Sequence, residues 1–117
     1  MNTGVSVIIV NYNTKELTLQ CVESLKTHTK DVSYEIILVD NASTDGSKDC
    51  FEKRDDIIYL YSHENLGFGR ANNLGFSKAS GKYLFLLNSD TILNNNAIKL
   101  FYDFMEEPFS RSSLLEF

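Results

Sequence analysis

The chain is short of the residues that most often announce a site. It has two cysteines, two histidines and one proline among 117 residues, and its six glycines are scattered. Cys21 and Cys50 stand far apart without metal-ligand spacing, which excludes a disulfide framework and a cysteine-based zinc site. Both fall in helical patterns and are read as reduced packing residues of a cytoplasmic protein. Two histidines leave little material for a hydrolase triad, and no G-x-S-x-G elbow is present. His28 falls at a helix end and reads as a surface residue, whereas His63 lies in a long loop. No G-x-x-x-x-G-K-[ST] occurs, so a P-loop is excluded. The position after the first strand, where a dinucleotide fold wants glycines, reads Asn11-Tyr12-Asn13-Thr14, and Gly67-Phe68-Gly69 matches only two glycine positions late in the chain. No apolar run approaches the about 18 residues of a membrane span. Basic residues are scattered over a chain of net charge −5, which argues against a nucleic-acid binder, because that affinity rests on clustered Lys and Arg. Met1 leads almost directly into the first strand pattern, so no secretory leader is expected.

What is present is a hydrophobic content of 43%, enough for one core in a single domain over 1–117. The run Tyr83-Leu84-Phe85-Leu86-Leu87 has no alternation, as expected of a strand buried on both faces, and it stops at Asn88-Ser89-Asp90. Val5 to Val10 and Tyr34 to Val39 are two more buried strands, ending at Asn11-Tyr12-Asn13 and Asp40-Asn41. Ile57 to Tyr61 is another, leading into a loop over 62–70.

Helices fill the intervals. Thr14 caps one with Glu16 in its first turn and Leu17, Cys21, Val22 and Leu25 as its buried stripe. Ser43 or Asp45 caps a short charged helix reaching about Arg54. A third runs from Arg70 to Ala79, with Gly75 inside it at a cost of roughly 1 kcal/mol against Ala, tolerable where the helix must approach a neighbour. Asn94 or Asn95 caps the last, with Ala97, Ile98, Phe101, Phe104 and Met105 inward, and Pro108 stops it. Phe109 to Phe117 shows no periodicity.

The order β-α-β-α-β-α-β-α predicts a three-layer α/β fold with helices on both faces of a mainly parallel sheet. With the fourth strand beside the first, in the order 3-2-1-4, Asn11, Asp40, the 62–70 loop and Asn88 to Asp90 open onto one rim, where ligands sit in such sheets. The fourth strand would then present an exposed apolar edge, a feature normally avoided and a reason to expect either a homodimer through that edge or further protein covering it.

The rim holds two carboxylates, Asp40 and Asp90, among amides and one arginine. Asp40 can accept from a base N–H. Asp90 offers the hard oxygen wanted by Mg²⁺ or Mn²⁺, which often complete their shells with waters and substrate phosphates. Arg70 can meet a base or phosphate through charge-assisted hydrogen bonds. A metal on a diphosphate suits group transfer, because it neutralises charge developing on the leaving group.

Four stretches carry a resemblance: Val5-Ser6-Val7-Ile8-Ile9-Val10-Asn11-Tyr12-Asn13, Val39 to Ser47, Asn65 to Gly75, and Leu87-Asn88-Ser89-Asp90-Thr91. In this order, over roughly residues 4 to 98, the chain resembles the amino-terminal half of a family 2 glycosyltransferase with the GT-A fold, and most resembles the rhamnosyltransferase-like branch. The resemblance implies a nucleoside-diphosphate sugar of the UDP or dTDP type as donor, and transfer to a hydroxyl on a saccharide or lipid-linked acceptor, usually with inversion. It implies a place in bacterial surface polysaccharide synthesis and, for the full-length enzyme, possible membrane-peripheral contact. By position, Val10, Asn11 and Tyr12 would line the nucleoside, Asp40 the base, and Arg70 the base or diphosphate. Asn88-Ser89-Asp90 matches the D-x-D motif: Asp90 would hold the divalent ion and Asn88, uncharged, would bond ribose. The family's general base falls beyond residue 117, so the 117-residue piece is expected to bind donor nucleotide at most. A noncatalytic nucleotide- or metal-binding module, and a purely structural α/β unit with turn residues at its rim, stay open as alternatives.

Overall fold

The computed structural model describes residues 2–108 and 114–116. Four expected strand–helix pairs appear in order: β1 (Val5–Asn11), α1 (Lys15–His28), β2 (Tyr34–Asn41), α2 (Ser47–Phe51), β3 (Ile58–Ser62), α3 (Gly67–Lys78), β4 (Tyr83–Leu86) and α4 (Ala97–Met105). A fifth strand, β5 (Leu114–Glu116), follows. All strand pairs are parallel, in the order β3-β2-β1-β4-β5. Asn11 therefore lies opposite Asp40, and Asn41 opposite Ser62, at one end of the sheet.

The sheet's two faces are covered unequally, and residue parity decides which side chain meets which helix. Val5, Val7 and Ile9 join Ile36, Leu38 and Phe85 in a cluster with Cys21, Val22 and Leu25 of α1, Phe51 of α2, and Ile98, Phe101 and Met105 of α4. Ile8, Ile37, Val39 and Leu86 point the other way and meet Ala71 of α3. The alternation is that of any strand, but both faces are apolar because both are covered, as parallel sheets require.

Gly75 has its neighbour here. A Cβ at this position would lie 2.8 Å from Ile8 Cγ2 and 3.3 Å from Val39 Cγ2, so α3 packs directly on β1 and β2 where its side chain is missing. Cys21 is buried and Cys50 half-buried, both as free thiols. Burial, then the nearby Asp90 charge, pushes the Cys21 thiol up to about 12, so it packs as a neutral group.

Several expectations need correction. The outer edge of β4 is not open: Leu84, Phe85 and Leu86 pair with Leu114, Leu115 and Glu116. That pairing removes the premise for a homodimer through this edge. The aperiodic tail is thus strand over 114–116, three residues being too few to show a period, and its other residues lie outside those described. Thr18 replaces Leu17 in the buried stripe of α1, where Leu17 is 45% exposed. The stripe had to include a polar residue because Thr18 bonds the buried Asn11. Phe104 of α4 is 64% exposed. Asn96, not Asn94 or Asn95, holds the position before α4, and its side chain reaches Lys30 N and O instead of capping. Helix α3 starts three residues before Arg70, which shortens the loop preceding it.

Candidate functional site

The carboxyl ends of the strands enclose a cleft of about 370 Å³. Its walls come from four places in the chain: Val10, Tyr12 and Thr14 after β1, Asn41 at the end of β2, Asn65, Gly67 and Phe68 at the entry to α3, and Asn88 and Ser89 after β4. The lining holds no carboxylate, amine, guanidinium or imidazole, so the cleft itself presents amides, hydroxyls and two aromatic rings. Tyr12 and Phe68 are each about half exposed, at 50% and 51%.

Parity at the strand ends explains which predicted residues reach the cleft. Val10 and Asn41 continue the face that packs on α3, and both line it. Asn11 and Asp40, paired across the ladder, share the opposite face and are fully buried. Asp40 Oδ1 accepts from the Ser43 N–H at 3.0 Å, and its Oδ2 accepts from the Tyr59 hydroxyl at 2.5 Å. Burial and then the bond to Asp40 push the Tyr59 phenol up. Asn11 Oδ1 accepts from Thr14 N, Thr14 Oγ1 and Thr18 Oγ1, at 3.3, 2.8 and 2.9 Å, and its amide donates to Ser43 Oγ at 3.2 Å. Both side chains are therefore occupied within the protein.

Asn41 carries a different load. Its Oδ1 accepts from Leu66 N at 2.7 Å, and its amide lies 3.4 Å from Gly67 O, so it ties the end of β2 to the start of α3. Asn65 Oδ1 accepts from Gly67 N at 2.9 Å, an Asx turn that suits the positive φ of 78° at Gly67. Sequence reasoning nominated Asp40 and passed over Asn41, Asn65 and Phe68. The missed signal is the strand period: the next residue along a strand faces the other side, and only the packing of α3 shows which side is the cleft.

After β4, Asn88 and Asp90 are exposed and Ser89 half-buried. Thr14 Oγ1 and Ser89 Oγ lie 3.5 Å apart across the floor, and Asn88 O accepts from the Cys21 thiol at 3.6 Å. Arg70 is 71% exposed in its side chain, 3.9 Å from Glu64 Oε1, and does not line the cleft. His63 is exposed and sits edge-on to Tyr61 at 5.2 Å between ring centroids.

Among the described residues no three His, Cys, Asp or Glu side chains gather as a metal cage. The donor set at 88–90 is one carboxylate with an amide and a hydroxyl. It does not fit an ion held by protein alone. It does fit Mg²⁺ or Mn²⁺ arriving with phosphate oxygens and waters, since these ions need only one or two protein carboxylates in that setting. No helix among the described residues is long and apolar enough to cross a membrane.

Comparison with known proteins gives a consistent result. Residues 6–113 match the family described as glycosyl transferase family 2. An uncharacterized glycosyltransferase of Rickettsia bellii (strain RML369-C) is 38% identical over 105 residues, covering 88% of this chain and 15% of the relative. Glycosyltransferase GlyG of Streptococcus pneumoniae serotype 4 is 36% identical over 111 residues, covering 92% of this chain and 36% of its own. The crystal structure of S. aureus TarS 1-349 in complex with UDP-GlcNAc superposes with a TM-score of 0.75 at 27% identity, over 90% of this chain and 32% of that one. The chain spans well under half the length of each protein it matches here.

Proposed function

The chain belongs to glycosyl transferase family 2, and on that premise we propose that its cleft is the nucleotide side of a sugar-donor site. The enzyme so served transfers the sugar of a nucleoside diphosphate sugar to a hydroxyl acceptor. The observation that carries the reading is convergence: Tyr12, Asn41, Phe68 and Asn88, from four segments of the chain, line one cleft at the carboxyl rim of a parallel sheet, with Asp90 exposed beside it. The UDP-GlcNAc complex of TarS supports a uridine donor over the dTDP alternative.

In this reading Tyr12 and Phe68 offer ring faces to the base, Val10 offers apolar contact, and the amides of Asn65 and Asn88 supply polar contacts to base edge and ribose. Asn41 holds the wall where β2 meets the start of α3. Asp40 and Asn11 are fully buried on the face away from the cleft, so each would need its strand end to turn before it could touch a base. Both therefore support the wall and do not bind. Arg70, exposed in the first turn of α3, turns toward the diphosphate when the donor is present. Asp90 supplies the carboxylate for a divalent ion carried by that diphosphate, whose role is to neutralise the charge of the departing nucleotide. The acceptor and its general base belong to residues outside 1–117, and transfer proceeds with inversion.

The motif stretches also support a place in the rhamnosyltransferase-like branch and in bacterial surface polysaccharide synthesis. The free thiols support a cytoplasmic setting. Titration calorimetry of the 117-residue chain with UDP in the presence of Mn²⁺ tests the donor site. Saturable binding that weakens without the ion is the expected result, and heats no larger than dilution would remove the reading.

A further inference from the structure

Beneath the cleft runs a chain of buried and part-buried hydrogen bonds that starts on β3, the strand beside β2. The Tyr59 hydroxyl, on β3, donates to Asp40 Oδ2, and Asp40 Oδ1 receives the Ser43 N–H. Ser43 Oγ in turn accepts from the Asn13 N–H at 2.8 Å and from the Asn11 amide at 3.2 Å. Asn11 Oδ1 then receives both the N–H and the hydroxyl of Thr14. Asp40 and Asn11 are fully buried and Ser43 is nearly so. Tyr59, Asp40 and Ser43 do not line the cleft, whereas Thr14 and Tyr12 do.

Backbone strain sits on both sides of the central link. Ala42 and Asn13 adopt left-handed φ values of 67° and 52°, unfavourable for alanine in particular. Ser43 follows Ala42 directly, and its hydroxyl receives the Asn13 N–H. The loop after β2 and the loop after β1 are thus held in uncommon conformations by the same serine, and that serine is held by Asp40. Connected buried networks of this kind act as units, so loss of one member is felt by the others.

We propose that Tyr59, Asp40 and Ser43 are positioning residues for nucleotide binding, forming a relay from β3 through Asn11 and Asn13 that sets the Tyr12–Thr14 wall of the cleft. The assignment rests on the donor-site reading above. It gives Tyr59 a role in affinity although the side chain meets no ligand, and it gives Asp40 a role distinct from touching the base. A network that only stabilised the fold would change stability and leave affinity alone.

The test uses Tyr59→Phe, which keeps the ring and removes the donor, and Ser43→Ala, which removes the shared acceptor. Amide hydrogen exchange is followed by NMR, and UDP affinity with Mn²⁺ by calorimetry. In each variant the Asn13 and Thr14 amides are expected to exchange about tenfold faster while Ile8 and Leu38 in the sheet keep their protection. UDP affinity falls about five- to tenfold, the scale of one hydrogen bond, and the double variant loses no more than either single one, as coupled sites do. Unchanged exchange at Asn13 and Thr14, exchange raised equally across β1 and β2, or unaltered UDP affinity in both variants overturns the relay. Failure of the unsubstituted chain to bind UDP is a different outcome. It removes the donor-site reading, and the relay with it as a device for affinity, whatever the exchange data show.

Discussion

Asp40 and Asn41 are consecutive residues with opposite duties. One faces the α1 side and is bonded to Ser43 and Tyr59; the other faces α3 and lines the cleft. Asp90 differs from both in being exposed on the rim, where a charge is available to an ion without a burial penalty. Asp90→Ala is expected to weaken Mn²⁺-dependent UDP binding about tenfold or more, equivalent to about 1.4 kcal/mol. Because substitutions at such exposed positions usually move stability by no more than about 0.5 kcal/mol, its thermal midpoint should match that of the parent. Calorimetry and a melting curve on the same sample decide this, and equal affinity in the variant would take the metal role from Asp90.

Helices α3 and α4 meet the sheet by different means. The contact of α3 depends on an absent side chain. Gly75→Ala gains up to about 1 kcal/mol of helix propensity, but its methyl group would enter the 2.8 Å contact with Ile8, and overpacking costs about 1–3 kcal/mol. Net destabilisation of up to about 2 kcal/mol in urea unfolding is the expected result; a more stable variant would mean that α3 can shift away without loss. Beyond its apolar stripe, α4 is held by Glu106 at its carboxyl end, which accepts from Lys82 Nζ, Tyr83 Oη and Tyr102 Oη at 2.6, 2.5 and 2.9 Å. These bonds, from Lys82 first, hold the Glu106 carboxyl at about 2 against an ordinary 4.5. A carboxyl depressed on folding adds stability above its unfolded value and loses it as pH falls toward its folded one. The difference in thermal midpoint between the parent and Glu106→Gln should therefore be constant above pH 4.5 and shrink between pH 4.5 and pH 2. A difference independent of pH would show that the carboxylate charge contributes nothing to holding α4.

At the scale of the whole molecule, every loop that lines the cleft is anchored to a strand end, and the sheet gathers those ends without help from another domain. Binding should therefore stabilise the entire unit. Ligand at about a hundred times its Kd adds about 2.7 kcal/mol to a native state that alone binds it, and for a domain near 100 residues this is a rise of roughly 10–20 °C. UDP with Mn²⁺ should raise the melting midpoint in this way, while uridine alone, which lacks the diphosphate, raises it less. The same preparation, given UDP-sugar and an acceptor glycan, should transfer no sugar, because the proposed donor cleft contains no residue assigned to deprotonate an acceptor. Transfer above donor hydrolysis would place a base within these 117 residues.

Much of this molecule was legible as pattern. Unbroken apolar runs such as Val5 to Val10 announce strands covered on both faces, and their abrupt polar ends announce the rim; the number and parallel sense of β1 to β4 follow from alternation with helices, whereas the order 3-2-1-4 was conditional on the pairing of β4 with β1, which the structure supplies. Short β5 was illegible because three residues carry no period. What the tertiary structure alone decided is the facing of side chains at the rim. Local sequence cannot say which of two neighbouring strand residues turns to the ligand and which to the core, since both faces of a parallel sheet are equally apolar beneath them. The asymmetry comes from contacts made across the chain: α3 seated on β1 and β2 at Gly75, and Tyr59 and Ser43 closing on Asp40.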